Sequence, residues 1–239
     1  MTVFNVSAAF SLAIFATTFC GTAVWAQASC SSDGQRSPTA LIERFINADC
    51  DNCWSDAKTV KLKAGELAID WIVPSIKGDD APLSAAASRD ALHRLQTLKQ
   101  VAPKDTLSVR RRALPSPLSV RVARGVALGG YMGASIALIP PRGGNLPVYP
   151  MIAHLLLVEE IPAGTDGTPV VRNLVRNSLE ITWNKSEQSA PQPNARGRHY
   201  ESRPMSIPQG ANPDRLRVVG WVEDADGRMI ASAASVCEK

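Results

Sequence analysis

Residues 45–58 read FINADCDNCWSDAK and set Cys50 and Cys53 two residues apart, between a hydrophobic run and a helix-compatible segment. Upstream, Leu41, Ile42, Phe45 and Ile46 suit a buried strand about as well as one turn of helix. Downstream, residues 54–62 predict a short helix stopped at Gly65, and ELAIDWIV (66–73), closed by Pro74, predicts a second strand. The order is strand, Cys-x-x-Cys, helix, strand. At a helix start the backbone amides favour the thiolate of the first cysteine, while the second, one turn in, can attack a mixed disulfide. Cys50 is therefore the expected catalytic nucleophile and Cys53 the resolving thiol. Asp49 and Asp51 bracket Cys50, with Asp56 close behind. Like charge disfavours a thiolate, so the pair is expected to be a weaker oxidant than one with neutral or basic neighbours.

The other cysteines fix the compartment this reading needs. The chain opens MTVFNVSAAFSLAIFATTFCGTAVWAQASC, an apolar stretch too short and too rich in Ala and Thr for a membrane span. We read residues 1–26 as a signal peptide, with cleavage after Ala26 or Ala28. No Lys or Arg precedes the apolar core, and an uncleaved anchor is the alternative. Phe19 before Cys20 is too bulky for a lipoprotein cleavage site. Loss of Cys20 leaves Cys30, Cys50, Cys53 and Cys237, an even number in an oxidising compartment. Three pairings exist; the economical one joins Cys50 to Cys53 and uses Cys30–Cys237 as a structural clasp. The formal net charge of +4 is mild, and Arg110-Arg111-Arg112 lacks the interleaved aromatics of a nucleic-acid surface. No second apolar run reaches membrane-spanning length.

Past the dithiol region, residues 83–102 put Ala91, Leu92, Leu95, Leu98 and Ala102 on one face of a predicted helix ended by Pro103, with His93 beside that face. After Asp105 the apolar stretches become short and rich in Val and Ile, with Pro and Gly between them. RLRVVGWVE and RMIASAASV flank Asp224-Ala225-Asp226-Gly227, a hairpin signature. Gly129-Gly130 and Gly143-Gly144-Asn145 read as hairpin turns, and residues 185–213, rich in proline, as an exposed loop. An antiparallel sandwich over 106–239 follows.

Other chemistries find little support. Zinc needs two ligands beyond the dithiol, and His93, His154 and His199 are isolated from one another. Met151 and His154 read as packing on a strand and not as a copper site. Gly-x-Ser-x-Gly is missing, so no nucleophile elbow is expected.

Ile42-Glu43-Arg44-Phe45, then Cys50-Asp51-Asn52-Cys53, then Ile69-Asp70-Trp71 resemble, in the same order, the motifs of bacterial exported thioredoxin-like proteins catalogued as a domain of unknown function. Those begin V-E-L-F-T-S-Q-G-C-S-S-C-P-P-A-D, continue with V-D-Y-W and end in a β-rich region. Here Trp54-Ser55 replaces Pro-Pro, the Tyr-Thr-Pro segment whose cis-proline faces the dithiol has no counterpart, and residues 103–118 leave little room for the last two thioredoxin strands. The resemblance implies a trimmed member.

The sequence therefore predicts an α+β chain: signal peptide 1–26, a trimmed thioredoxin-like part over 27–105, and an antiparallel β-sandwich-like part over 106–239. The expected function is thiol–disulfide exchange through Cys50 and Cys53 in the periplasm or outside the cell. Thiol- or disulfide-bearing proteins would be its partners, with no nucleic acid, no membrane span in the mature chain, no cofactor and no metal. The alternative is a non-enzymatic secreted binding or accessory module in which both disulfides are structural.

Overall fold

ALIERFIN, residues 40–47, is buried at every position but the last, the behaviour of a strand covered on both faces. The computed structural model, which describes residues 30–58, 61–141, 149–184 and 199–237, shows what covers it. In chain order the elements are β1 (Cys30–Ser31), β2 (Ala40–Asn47), α1 (Asp51–Ser55), β3 (Glu66–Val73), α2 (Arg89–Thr97), β4 (Thr106–Arg112) and β5 (Ser119–Leu128). They continue with β6 (Tyr131–Ile139), β7 (Met151–Ile161), β8 (Arg172–Trp183), β9 (His199–Ser206), β10 (Leu216–Glu223), β11 (Met229–Ala234) and β12 (Val236–Cys237). The signal peptide, the turn at 143–145 and residues 185–198 of the proline-rich loop lie outside the described residues.

The strands form two sheets, a seven-stranded one in the order β11-β10-β7-β8-β3-β2-β4 and a five-stranded one in the order β12-β1-β5-β6-β9. Among the described strands only β2/β3, and β3/β8 through the pair Asp70 and Leu174, run parallel. Because side chains alternate across a strand, each face of the large sheet has its own cover. Leu155 and Leu157 of β7, with Val218 and Val222 of β10, pack against Val120, Val122, Ile136 and Leu138 of the smaller sheet. Further along that face, Ile46, Ile72 and Leu174 pack with Trp54 of α1. The opposite face, with Leu41, Phe45, Ile69, Trp71 and Trp221, receives Ala91 and Leu95 of α2. Gly220 lets the sheets approach, since a Cβ there would sit 2.7 Å from Val122 Cγ1 and 2.9 Å from Ile136 Cδ1.

This overturns the α+β, thioredoxin-like expectation. Among the described residues the molecule is mostly β, and its α-helices are two short segments. The local order is β2, α1 and β3, but α1 spans Asp51–Ser55, takes in Cys53 and ends well short of the helix expected over 54–62; β3 is also flanked by β8, and the large sheet includes strands on both sides of residues 105 and 106. The physical reason is that long-range partners close the sheet, and no local signal in residues 40–73 announces β8.

The helices are also shorter than their apolar spacing suggests. The segment 83–102 forms a 3-10 turn at Ser84–Ala86 and then α2, because Ser88, whose hydroxyl accepts from the Asp90 amide at 3.1 Å, caps the α-helix late. Lys99, at φ 55°, then turns the chain out of it. Residues 199–206, expected in the exposed loop, form β9, an edge strand on β6 that tolerates Pro204 there. The turns are as expected at two places: Gly129 and Gly130, both at positive φ, join β5 to β6, and Gly227 closes the β10–β11 hairpin at φ 75°.

Candidate functional site

Cys50 is the residue from which α1 starts, and its carbonyl accepts the Cys53 amide at 3.0 Å. The two are joined by a disulfide. Both are half-buried; Cys53 leans on the apolar cluster of Ile46, Ala48, Trp54 and Ile72, while the flanking Asp51 and Asn52 are exposed. The pair thus sits at the carboxyl end of β2, on the rim of the sheet. At five residues, α1 offers little macrodipole to a thiolate.

Fixed side chains from distant strands hold this ledge. Arg172, the first residue of β8, donates through Nη2 to the carbonyl oxygens of Cys53 at 3.1 Å, Trp54 at 2.8 Å and Asp56 at 3.3 Å. Its guanidinium lies 5.2 Å from the Trp54 ring centre, and the Trp54 indole N–H donates to the Asp166 carbonyl at 2.7 Å. Asp70 of β3, fully buried, anchors Arg172: Oδ1 accepts from Arg172 Nη1 at 3.4 Å, and Oδ2 accepts from Arg44 Nη2 at 2.6 Å and the Asn173 amide at 2.9 Å. Burial pushes the Arg172 guanidinium down from its usual range; Asp70 opposes this and Arg44 adds to it. An arginine so placed stays charged at any physiological pH.

A third group reaches the dithiol from the residue just before β4. The Asn47 amide donates to the Asp105 carbonyl at 2.8 Å and its side chain to the Pro103 carbonyl at 2.9 Å. The antiparallel pairing of β2 with β4 continues from there. In consequence a carboxylate oxygen of the exposed Asp105 and the sulfurs of Cys50 and Cys53 all lie within 4.8 Å of one another. Asp49, by contrast, is turned aside: its Oδ1 accepts from Ser75 Oγ at 2.9 Å, with Lys77 Nζ at 3.7 Å.

The remaining residues singled out in the sequence lie elsewhere. Cys30–Cys237 is a disulfide between β1 and β12 in the smaller sheet. His154 stacks on Trp221 at 4.6 Å and His199 on Trp183 at 5.1 Å. Arg111, from the arginine run, reaches into a second buried cluster on the α2 face. There Arg94 donates to both oxygens of Glu43, at 2.7 and 2.9 Å, and to Glu223 at 3.0 Å; Arg111 also pairs with Glu223. The Trp221 N–H donates to the same Glu223 oxygen at 2.7 Å. Both carboxylates of that cluster are paired with arginines, a tie between α2, β2, β4 and β10.

Sequence reasoning missed Arg172 and Asp105 and took Asp70 only as part of a motif. Asp70 did leave a signal: a carboxylate inside the apolar run ELAIDWIV has to be paired once buried. No protein-family model, no curated protein and no solved structure matches the chain.

Proposed function

We propose that the chain is an exported thiol–disulfide exchange protein whose working pair is Cys50 and Cys53, carried on a β-sandwich scaffold. The observation that supports this is the position of the pair on a braced ledge: two half-buried cysteines at the sheet rim, next to exposed Asp51 and Asn52, with the Cys53 and Trp54 carbonyls held by Arg172. The apolar leader and the paired cysteines of the remaining chain support a periplasmic or extracellular setting.

In the reducing direction the Cys50 thiolate attacks one sulfur of a partner disulfide, and the other partner sulfur leaves as a thiolate that takes up a proton. The Cys53 thiolate then attacks Cys50 Sγ, the partner departs as a dithiol, and the Cys50–Cys53 disulfide is restored. Two electrons pass from this chain to the partner, and a dithiol reductant must return them for another turn. The reverse sequence oxidises a partner dithiol. Carboxylates beside the pair disfavour two adjacent thiolates and so favour the disulfide form.

The test is an insulin-reduction and oxidative-refolding assay on the purified protein. Activity is expected for the native chain and loss of it for Cys50→Ser; full activity in that variant eliminates the mechanism. A second reading, a non-enzymatic binding or accessory module, draws on one observation: Cys53 is packed into the apolar cluster under α1. A reduction potential below about −300 mV, the range of inert structural disulfides, assigns the pair to that role.

A further inference from the structure

We infer that reduction of Cys50–Cys53 opens a binding site for a divalent cation of the zinc class, held by the two thiolates and the Asp105 carboxylate. The inference rests on the proposed function only in that the pair must be reducible; it does not require turnover. The sequence holds no second Cys-x-x-Cys, and it is the fold that supplies the third ligand. Asp105 lies 52 residues beyond Cys53 (105 − 53), yet the bonds from Asn47 to Asp105 and Pro103 bring it to the same rim.

The distances suit a metal. Ligand atoms gathered within 4.8 Å approach the spacing of tetrahedral zinc, whose bonds of about 2.3 Å to sulfur and about 2.0–2.2 Å to carboxylate oxygen set ligands roughly 3.3–3.8 Å apart. Reduction adds two electrons and two protons to the disulfide, and the freed sulfurs separate to van der Waals contact, towards that spacing. Binding then releases the two thiol protons to solvent. Two thiolates alone favour a soft monovalent ion; adding a hard carboxylate shifts the preference to a borderline divalent one. Once the two thiols give up their protons, two thiolates and Asp105 sum to three negative charges on one ledge, with Asp51 beside them, and a divalent cation offsets that repulsion. Asp105 is exposed and both cysteines are half-exposed, so the fourth position faces solvent. A bound ion would withdraw both thiolates from exchange.

The experiment reduces the folded protein with a non-coordinating phosphine, removes the phosphine, counts free thiols and titrates Co2+ without oxygen. One Co2+ per chain with a near-ultraviolet thiolate charge-transfer band is expected, displaced by Zn2+. The band should be absent from the oxidised protein and from Cys50→Ser. Asp105→Asn, whose side chain is exposed, should keep the fold and weaken Zn2+ at least about tenfold, a loss that even outer-shell changes can produce. Two free thiols without the band, or an Asp105→Asn variant that binds as tightly as the native chain, overturns the inference and leaves exchange standing. The band in a protein that fails to reduce insulin supports the site and removes the exchange reading. A disulfide that phosphine cannot open in the folded chain overturns both.

Discussion

Arg172 solves a problem that α1 creates. A helix of five residues has almost as many unsatisfied carbonyls as residues, and three carbonyls at and just beyond its end converge on one guanidinium. Because that guanidinium is itself buried against Asp70, removing it strands the carbonyls and takes away part of the counter-charge that Asp70 shares with Arg44. Arg172→Met keeps most of the volume and loses every hydrogen bond. It should lower stability by about 3–5 kcal/mol, the usual cost of breaking a buried pair from one side, in urea unfolding. In the same variant the Cys50–Cys53 disulfide should be reduced faster by dithiothreitol, because the ledge loses its brace. Unchanged reduction kinetics would show that the sulfurs are held by the apolar cluster alone. Of this arrangement the sequence displayed the cysteines and, less directly, Asp70. Arg172 was invisible, since nothing in VVRNLV distinguishes an inward-reaching arginine at a strand start from a solvated one.

At the scale of elements, β2 is the member that both buried charge clusters share. Glu43 points to α2 and Arg44 to the side of α1, as strand alternation requires. The α2 side carries a pH dependence through Glu223 on β10. Burial alone would push its carboxyl up; His154, 3.2 Å away, then Arg94 and Arg111 outweigh this and hold it well below the usual carboxylate range. The folded value is lowered, so the stabilisation is fully present above the unfolded carboxylate range, about pH 4.3. It declines as pH falls from there towards the folded value. Glu223→Gln should therefore be less stable than the native chain at pH 7, with the gap narrowing steadily below about pH 4 in urea titrations at fixed ionic strength. A constant gap would mean that the carboxylate is not held low. Strand 66–73 and the β10–β11 hairpin were readable because local chemistry decides them: an apolar run bounded by Gly65 and Pro74, and an Asp-Gly turn whose Asp224 accepts the amides of Asp226 and Arg228. The neighbour of β3 was not readable. Its pairing with β8 spans about a hundred residues, and strand partners are chosen by packing context more than by intrinsic preference.

For the whole molecule, the two disulfides do different work, and chain length says which is which. Cys30–Cys237 ties β1 to β12, so it closes a loop with a sequence separation of 207; Cys50–Cys53 closes one with a separation of 3. In the chain-entropy account the first removes about 5 kcal/mol of denatured-state freedom and the second about 2 kcal/mol. The long bridge also secures the smaller sheet, since β1 lies between β12 and β5 and β5 packs over β10 and β11. A fold of this kind needs such help. Its contacts join strands distant in sequence, and their closure entropy comes due before packing rewards it. The double variant Cys30→Ser/Cys237→Ser should accordingly lose about 5 kcal/mol in urea unfolding and refold more slowly. Cys50→Ser/Cys53→Ser should lose about 2 kcal/mol or less and keep the same circular dichroism. The comparison bears directly on function. If the short bridge proves as costly to remove as the long one, then the Cys50–Cys53 pair is an architectural tie and exchange at that site would unravel the sheet rim each time it opened. A small cost leaves the sulfurs free to open and close on a scaffold that the Cys30–Cys237 bridge keeps shut.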